Sequence, residues 1–83
     1  MTFEMVLTQR AVKDLDKLEE KVKERIISTL KEYNENPFSH AKKLTNPKLG
    51  SYRFKIGDYR VVFDIDTNTI VILRIGHRKS IYK

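Results

Sequence analysis

The sequence predicts an α+β fold of order β-α-α-β-β-β, with a two-helix antiparallel hairpin packed on one face of a four-stranded, largely antiparallel sheet. Three observations predict it: apolar and polar residues alternate at the start of the chain, two successive segments repeat apolar residues at spacings of three and four, and alternation returns after residue 51, interrupted by two turn sequences.

Phe3, Met5 and Leu7 alternate with Thr2, Glu4 and Val6, the period of a strand buried on one face. Thr8 stands where an N-cap belongs, and Ala11, Val12, Leu15 and Leu18 mark one face of a helix from about Gln9 to Leu18. A second helix spans about Glu20 to Glu35, with Val22, Ile26, Ile27, Leu30 and Tyr33 as its apolar stripe. Pro37 ends it, because proline has no amide to donate. The other face, with Glu20, Lys23, Glu24, Arg25 and Glu32, reads as a solvated helix surface.

From Asn34 to Lys48 the chain holds both prolines and no sustained period, which describes a connector with one irregular turn around Ala41 to Leu44. Tyr52, Phe54 and Ile56 then alternate with Arg53 and Lys55, and Gly57-Asp58 forms a tight turn into Tyr59, Val61, Phe63 and Ile65. Asp66-Thr67-Asn68-Thr69 is a second turn, and Ile70 to Ile75 form the last strand. The three C-terminal strands make a meander, the first strand joins its edge or centre, and the second sheet face is only partly covered.

Eighty-three residues suffice for a single domain over 1–83 with a thin core. Cysteine is absent, which excludes disulfides and zinc–thiolate sites. No apolar run approaches the roughly 20 residues of a membrane span, and Met1-Thr2-Phe3-Glu4 lacks the layout of a signal peptide, so a cytoplasmic location is expected. Residues 1–41 carry seven Lys and Arg against eight acids, whereas residues 42–83 carry ten against three, so the net charge of +6 is C-terminal. A balanced half joined to a basic half suggests a scaffold joined to a polyanion-facing surface.

Arg53, Lys55 and Arg60 lie on two strands joined by a turn, and alternation puts them on one face. Cations that close repel unless an anion bridges them, which points to phosphate. The chain ends Gly76-His77-Arg78-Lys79-Ser80-Ile81-Tyr82-Lys83. There His77 can serve as a general acid or base, Arg78 can clamp a phosphate, and Tyr82 can stack on an unpaired base. Lys48, Lys79 and Lys83 extend the surface for an RNA backbone. Metal-free RNA cleavage needs a 2′-hydroxyl to attack the adjoining phosphate, and fixed cations stabilise the charge that develops there. A lysine acting as base is protonated at its reference pKa of about 10.4 and needs cationic neighbours. No metal site is expected: Asp58, Asp64 and Asp66 do not recur at ligand spacing with His77 or His40, and no glycine-rich phosphate loop or nucleophile elbow is present.

The segment Tyr52-Arg53-Phe54-Lys55-Ile56-Gly57-Asp58-Tyr59-Arg60-Val61-Val62-Phe63 and the ending Gly76-His77-Arg78 with Tyr82 resemble the RelE/ParE superfamily of bacterial and archaeal toxins, and the resemblance covers essentially the whole chain. It implies a ribosome-dependent endoribonuclease that cuts messenger RNA in the ribosomal A site, with Arg53, Lys55, Arg60, Arg78 and Tyr82 lining the RNA site. Arg53 stands where the ribonucleases of the family carry Lys, which makes Lys55 the expected base. His77 falls where some relatives have Lys. The resemblance further implies a cognate antitoxin as partner and no small-molecule cofactor. Three other readings stand beside it: a ParE-like inhibitor of DNA gyrase, a non-catalytic module that grips RNA or ribosomes, and a toxin fold that has lost activity. The alignment of Arg53, Lys55, Arg60 and Arg78 favours the ribonuclease.

Overall fold

The structure, a computed structural model, describes residues 3–45 and 49–81. Its elements are β1 (Glu4–Leu7), α1 (Gln9–Asp16), α2 (Glu20–Tyr33), β2 (Lys42–Lys43), β3 (Tyr52–Ile56), β4 (Tyr59–Asp66) and β5 (Thr69–His77), with a 3₁₀ turn at Pro37–Ser39. The sheet order is β1-β5-β4-β3-β2. β1 pairs with β5 in parallel at one edge, and the other pairs are antiparallel.

The α+β architecture agrees with the sequence expectation, and the strand count does not: among the described residues the sheet has five strands, not four. Lys42 and Lys43, expected in an irregular turn, pair with Arg53 and Tyr52 as a short edge strand. Two lysines are too few to show a period, and the pairing is dictated by the free edge of β3 rather than by their own side chains. Charged residues on so short an edge also discourage further pairing. α1 and α2 end two residues earlier than expected. Lys17 and Asn34 close them with amides bonded to Leu15 and Leu30 carbonyls, respectively.

The core lies between the helices and one sheet face. Ala11 and Leu15 of α1, and Ile26 and Leu30 of α2, each four apart, bury against Phe54, Ile56, Val61, Phe63, Ile70, Ile72 and Ile75. Phe54 stacks on Phe63 with ring centroids 4.2 Å apart, and Tyr33 tilts onto Phe54 at 5.1 Å. The far end of α2 is tied to the start of β1, since Phe3 N donates to the Asn34 carbonyl and Asn34 Nδ2 donates back to the Phe3 carbonyl.

Part of the other sheet face is covered. Val62 is buried there under Gly50 and Leu73, and a Cβ on Gly50 would come within 2.6 Å of Val62 Cγ1. Only glycine allows that approach of the chain.

α1 is eight residues long, too short to hold itself together in water, and its stability must come from docking. Its docking site is a β-bulge. Val61 pairs with Ile75 and Val62 with Arg74, but Phe63 pairs with Ile72, which leaves Leu73 as an extra residue in β5. A bulge interrupts the ladder, and here α1 supplies the missing partners. Thr8 Oγ1 donates to the Leu73 carbonyl at 3.1 Å while accepting the Ala11 amide as N-cap, and Thr8 N donates to the Ile72 carbonyl. Asp14 Oδ2 accepts both the Ile75 amide at 3.0 Å and Arg74 Nε at 2.8 Å.

Asp14→Ala removes the acceptor for both donors and is expected to destabilise the fold by about 2–3 kcal/mol, the cost of stranding a partly buried amide and guanidinium. Urea unfolding would show this as a lower midpoint, and a midpoint equal to that of the wild type would remove Asp14 from this role.

Candidate nucleic-acid interface

Lys55 sits directly opposite Arg60 in the β3–β4 ladder, and Arg53 sits opposite Val62. Opposed residues share a face, so Arg53, Lys55 and Arg60 lie together on the side away from Phe54, Ile56 and Val61. Lys42 is the partner of Arg53 on β2 and joins the same face. Sequence periodicity missed Lys42 because its strand has no period to read. Arg53 and Arg60 are half-buried, while Lys42 and Lys55 are exposed.

The turn between β3 and β4 fixes the Arg60 guanidinium. Its Nη1 donates to the Gly57 carbonyl at 3.0 Å and to the Tyr59 carbonyl at 2.9 Å. Gly57 has φ +59°, a conformation that costs residues with a Cβ, and a Cβ there would also lie 3.0 Å from Arg25 Nη1. The Arg25 guanidinium, expected on a solvated helix surface, therefore rests on the same turn that anchors Arg60. Its spacing along α2 carried no sign of this, because the neighbour comes from a distant hairpin.

The end of β5 delivers another cation to this turn. Arg78 N donates to the Asp58 carbonyl at 2.8 Å, and Arg78 Nε lies 3.6 Å from Asp58 Oδ1. The chain then folds back: the Ser80 and Ile81 amides both donate to the His77 carbonyl, and Ile81 is buried with its Cδ1 3.2 Å from where a Gly76 Cβ would stand. Gly76 is the register partner of Arg60, so the tail turns over the cation-bearing face. Lys79 is exposed on this turn. Lys48, Tyr82 and Lys83 lie outside the described residues.

His77 is placed differently. Its register partner is Tyr59, which belongs to the helix-side face with Val61 and Phe63, and the two rings meet edge-on at 5.6 Å. His77 Nδ1 accepts the Lys79 amide at 3.1 Å, which puts the proton of the neutral ring on Nε2. The imidazole thus braces the tail and does not share the face of Arg53, Lys55 and Arg60.

Around the turn, the cations of Arg25, Lys55, Arg60 and Arg78 gather with Asp58 as the acid in ion-pair contact among the described residues. Opposed like charges such as Lys55 and Arg60 are unfavourable by themselves, and a bridging anion relieves the repulsion. Planar guanidinium groups match the oxygens of a phosphodiester in bidentate fashion.

The architecture and its likeness to known proteins define a toxin of the RelE/ParE superfamily. The model of the family described as ParE toxin of type II toxin–antitoxin system, parDE, matches residues 5–82, and the chain belongs to that family. It is 29% identical to toxin RelE3 of Methanocaldococcus jannaschii over 84 residues, covering 96% of each chain. It is also 29% identical to toxin RelG of Mycobacterium tuberculosis over 86 residues, covering 100% of this chain and 99% of RelG. Among solved structures, the toxin–antitoxin complex RelBE2 from Mycobacterium tuberculosis contains a similar chain, with a TM-score of 0.84, 27% identity and coverage of 94% of this chain and 100% of that one.

Gly57→Ala forces a left-handed backbone on a residue with a Cβ and crowds Arg25, and a loss of about 1–2 kcal/mol is expected. A thermal melt would register it as a lower midpoint, whereas an unshifted melt would show that the turn adapts without strain.

Proposed function

We propose that the chain is a ribosome-dependent messenger-RNA endoribonuclease, the toxin of a toxin–antitoxin pair, that cleaves without a metal by attack of a 2′-hydroxyl on the adjoining phosphate. The observation that carries this reading is the Lys55–Arg60 cross-strand pair, with Arg53 on the same face and Arg78 fastened to the same turn. Lys55 is the base in this scheme. Arg53, Arg60 and Arg78 hold the phosphate oxygens, where preorganised cations act most strongly on developing charge. Tyr82 stacks on a base next to the cut, and Lys48, Lys79 and Lys83 hold flanking phosphates. His77 is left out of this scheme, with its ring against Tyr59 and its Nδ1 taking the Lys79 amide.

In this reading the partner is a cognate antitoxin, as in the similar RelBE2 complex. An apolar groove of about 250 Å³ between β1 and the helices, lined by Met5, Leu7, Leu15, Ile27, Leu30 and Lys31, supports it. Ile27, in its wall, is 37% exposed and leaves apolar surface open there. A helix or strand of the antitoxin laid along the free edge of β1 would cover it.

The family's description as ParE toxin keeps a second, ParE-like reading, inhibition of DNA gyrase, which requires no aligned phosphate-binding cations. A supercoiling assay separates the two, since only the gyrase inhibitor blocks supercoiling.

Primer extension on a translated message is expected to show cuts with the wild type and a fall of at least about 100-fold with Arg60→Ala or Arg78→Ala, the scale of losing one electrostatic stabiliser. Cutting that both variants retain would remove Arg60 and Arg78 from the site, and absence of cutting by the wild type would sink the ribonuclease assignment. Ile27→Asp is expected to leave cutting intact and to abolish co-purification with the cognate antitoxin. Undiminished co-purification would remove the groove from that interface.

A further inference from the structure

The sequence averages to near-neutral over residues 1–41, yet the fold concentrates cations there in one place. A cleft of about 470 Å³ is lined by Gln9, Arg10, Lys13, Asp14, Lys17 and Arg74. Arg10, Lys13 and Lys17 recur at spacings of three and four, so they project from one face of α1, and all are exposed. None of them makes an ion pair among the described residues. The acids that balance them in sequence lie elsewhere: Asp16 and Glu20 contact Lys23, and Asp14 is taken by Arg74 and the Ile75 amide. The cleft therefore holds four cations against one carboxylate that is already engaged.

The cleft lies two strands from Arg53 of the candidate scission face, with Val62 buried between them under Gly50. Lys42 pairs with Arg53, Arg53 with Val62 and Val62 with Arg74, so these positions form one row across the sheet that ends at the cleft. Arg53 and Arg74 are two strand spacings apart, about 10 Å. An RNA strand long enough to pass over the segment that covers Val62 would meet cations at both ends. The same row gives an acidic peptide no reason to be preferred, because nothing along it supplies pockets for side chains at a strand or helix period.

We infer that the α1 cleft formed by Arg10, Lys13, Lys17 and Arg74 is a second RNA-backbone site, which grips phosphates of single-stranded RNA away from the bond that is cut. The inference rests on the reading of the chain as an RNA-directed toxin and extends it by a docking surface. Arg74 is held by Asp14 through Nε, leaving its outer nitrogens for phosphate, and the lysines act as point charges along the same track. Binding at this site depends on charge number rather than base identity.

The test uses the whole chain and a single-stranded RNA carrying 2′-O-methyl groups throughout, which cannot be cut by 2′-hydroxyl attack. Binding is measured by fluorescence anisotropy over a series of KCl concentrations, for the wild type and for the combined variant Arg10→Gln, Lys13→Gln and Lys17→Gln. Arg74 and Asp14 stay in place because they hold the bulge. The slope of log K against log[KCl] is expected to fall by about 2, from three charges at about 0.7 each, with the charge-preserving variant Arg10→Lys, Lys13→Arg and Lys17→Arg retaining the wild-type slope. An unchanged slope in the neutral variant overturns the inference, as does an equal loss in the charge-preserving one. Polyglutamate that displaces the RNA at lower concentration also overturns it, in favour of an acidic protein partner. Cutting of a translated message is followed separately: its absence in the wild type refutes the ribonuclease reading, while the salt slope still decides whether the cleft holds RNA.

Discussion

The extra residue in β5 is the constraint on which the rest of the molecule depends. Side chains on a strand change face with every residue, so inserting Leu73 reverses the assignment of everything after it. Ile70 and Ile72 point into the core, and the bulge allows Ile75 to do so as well, with Gly76 then falling beside Arg60. Without the insertion, Arg74 and Gly76 would face the helices and Ile75 would face the cations. The insertion exposes a carbonyl and an amide, and Thr8 and Asp14 satisfy them in the act of docking α1. One local irregularity thereby sets both the core and the geometry of the basic face.

That arrangement explains how a thin domain tolerates a crowded positive surface. Lys55 opposes Arg60, and Arg25 and Arg78 converge on the adjoining turn, so the folded state carries repulsion that an unfolded chain would relax. Backbone carbonyls offset part of it: Gly57 and Tyr59 accept from Arg60, and Asp58 receives the Arg78 amide while placing its carboxylate near the guanidinium. The turn consequently works as a scaffold for cations. Its glycine is required by the backbone angle and by the guanidinium lying against it, so conformation and charge placement are settled at the same residue.

Much of this was legible in the sequence, and the parts that were not share a physical origin. Periodicity located β1, both helices and the C-terminal meander, and it put Arg53, Lys55 and Arg60 on one face, because each of those features is a repeat within a single element. β2 was invisible, since a two-residue strand exists only through its partner. The bulge was invisible too: Ile70-Val71-Ile72-Leu73 is apolar without interruption and fits either phase of a strand. Arg25 was read as ordinary solvated charge, and the cations of α1 drew no reading, because their significance lies in what approaches them from another element. Thr8 marks the boundary between the two cases. Its role as N-cap could be read locally, while its bond to Leu73, 65 residues away, could not.

The apolar groove and the cation face lie at different ends of the sheet. The apolar groove borders β1 at one edge, whereas Lys55 and Arg60 occupy β3 and β4, separated from it by β5. Two to three strand spacings amount to roughly 10–15 Å, which is more than the reach of one side chain. A partner seated only in the groove would leave the cation face open to RNA. Inhibition by such a partner therefore demands a further segment that crosses β5 or displaces the tail at Ile81, and an acidic segment would gain most by doing so because it would also quench the repulsion between Lys55 and Arg60. Under the proposed ribonuclease reading, the charge that would suit the face to a phosphodiester is the same charge that would give an inhibitor its purchase, so the two ligands would exclude one another.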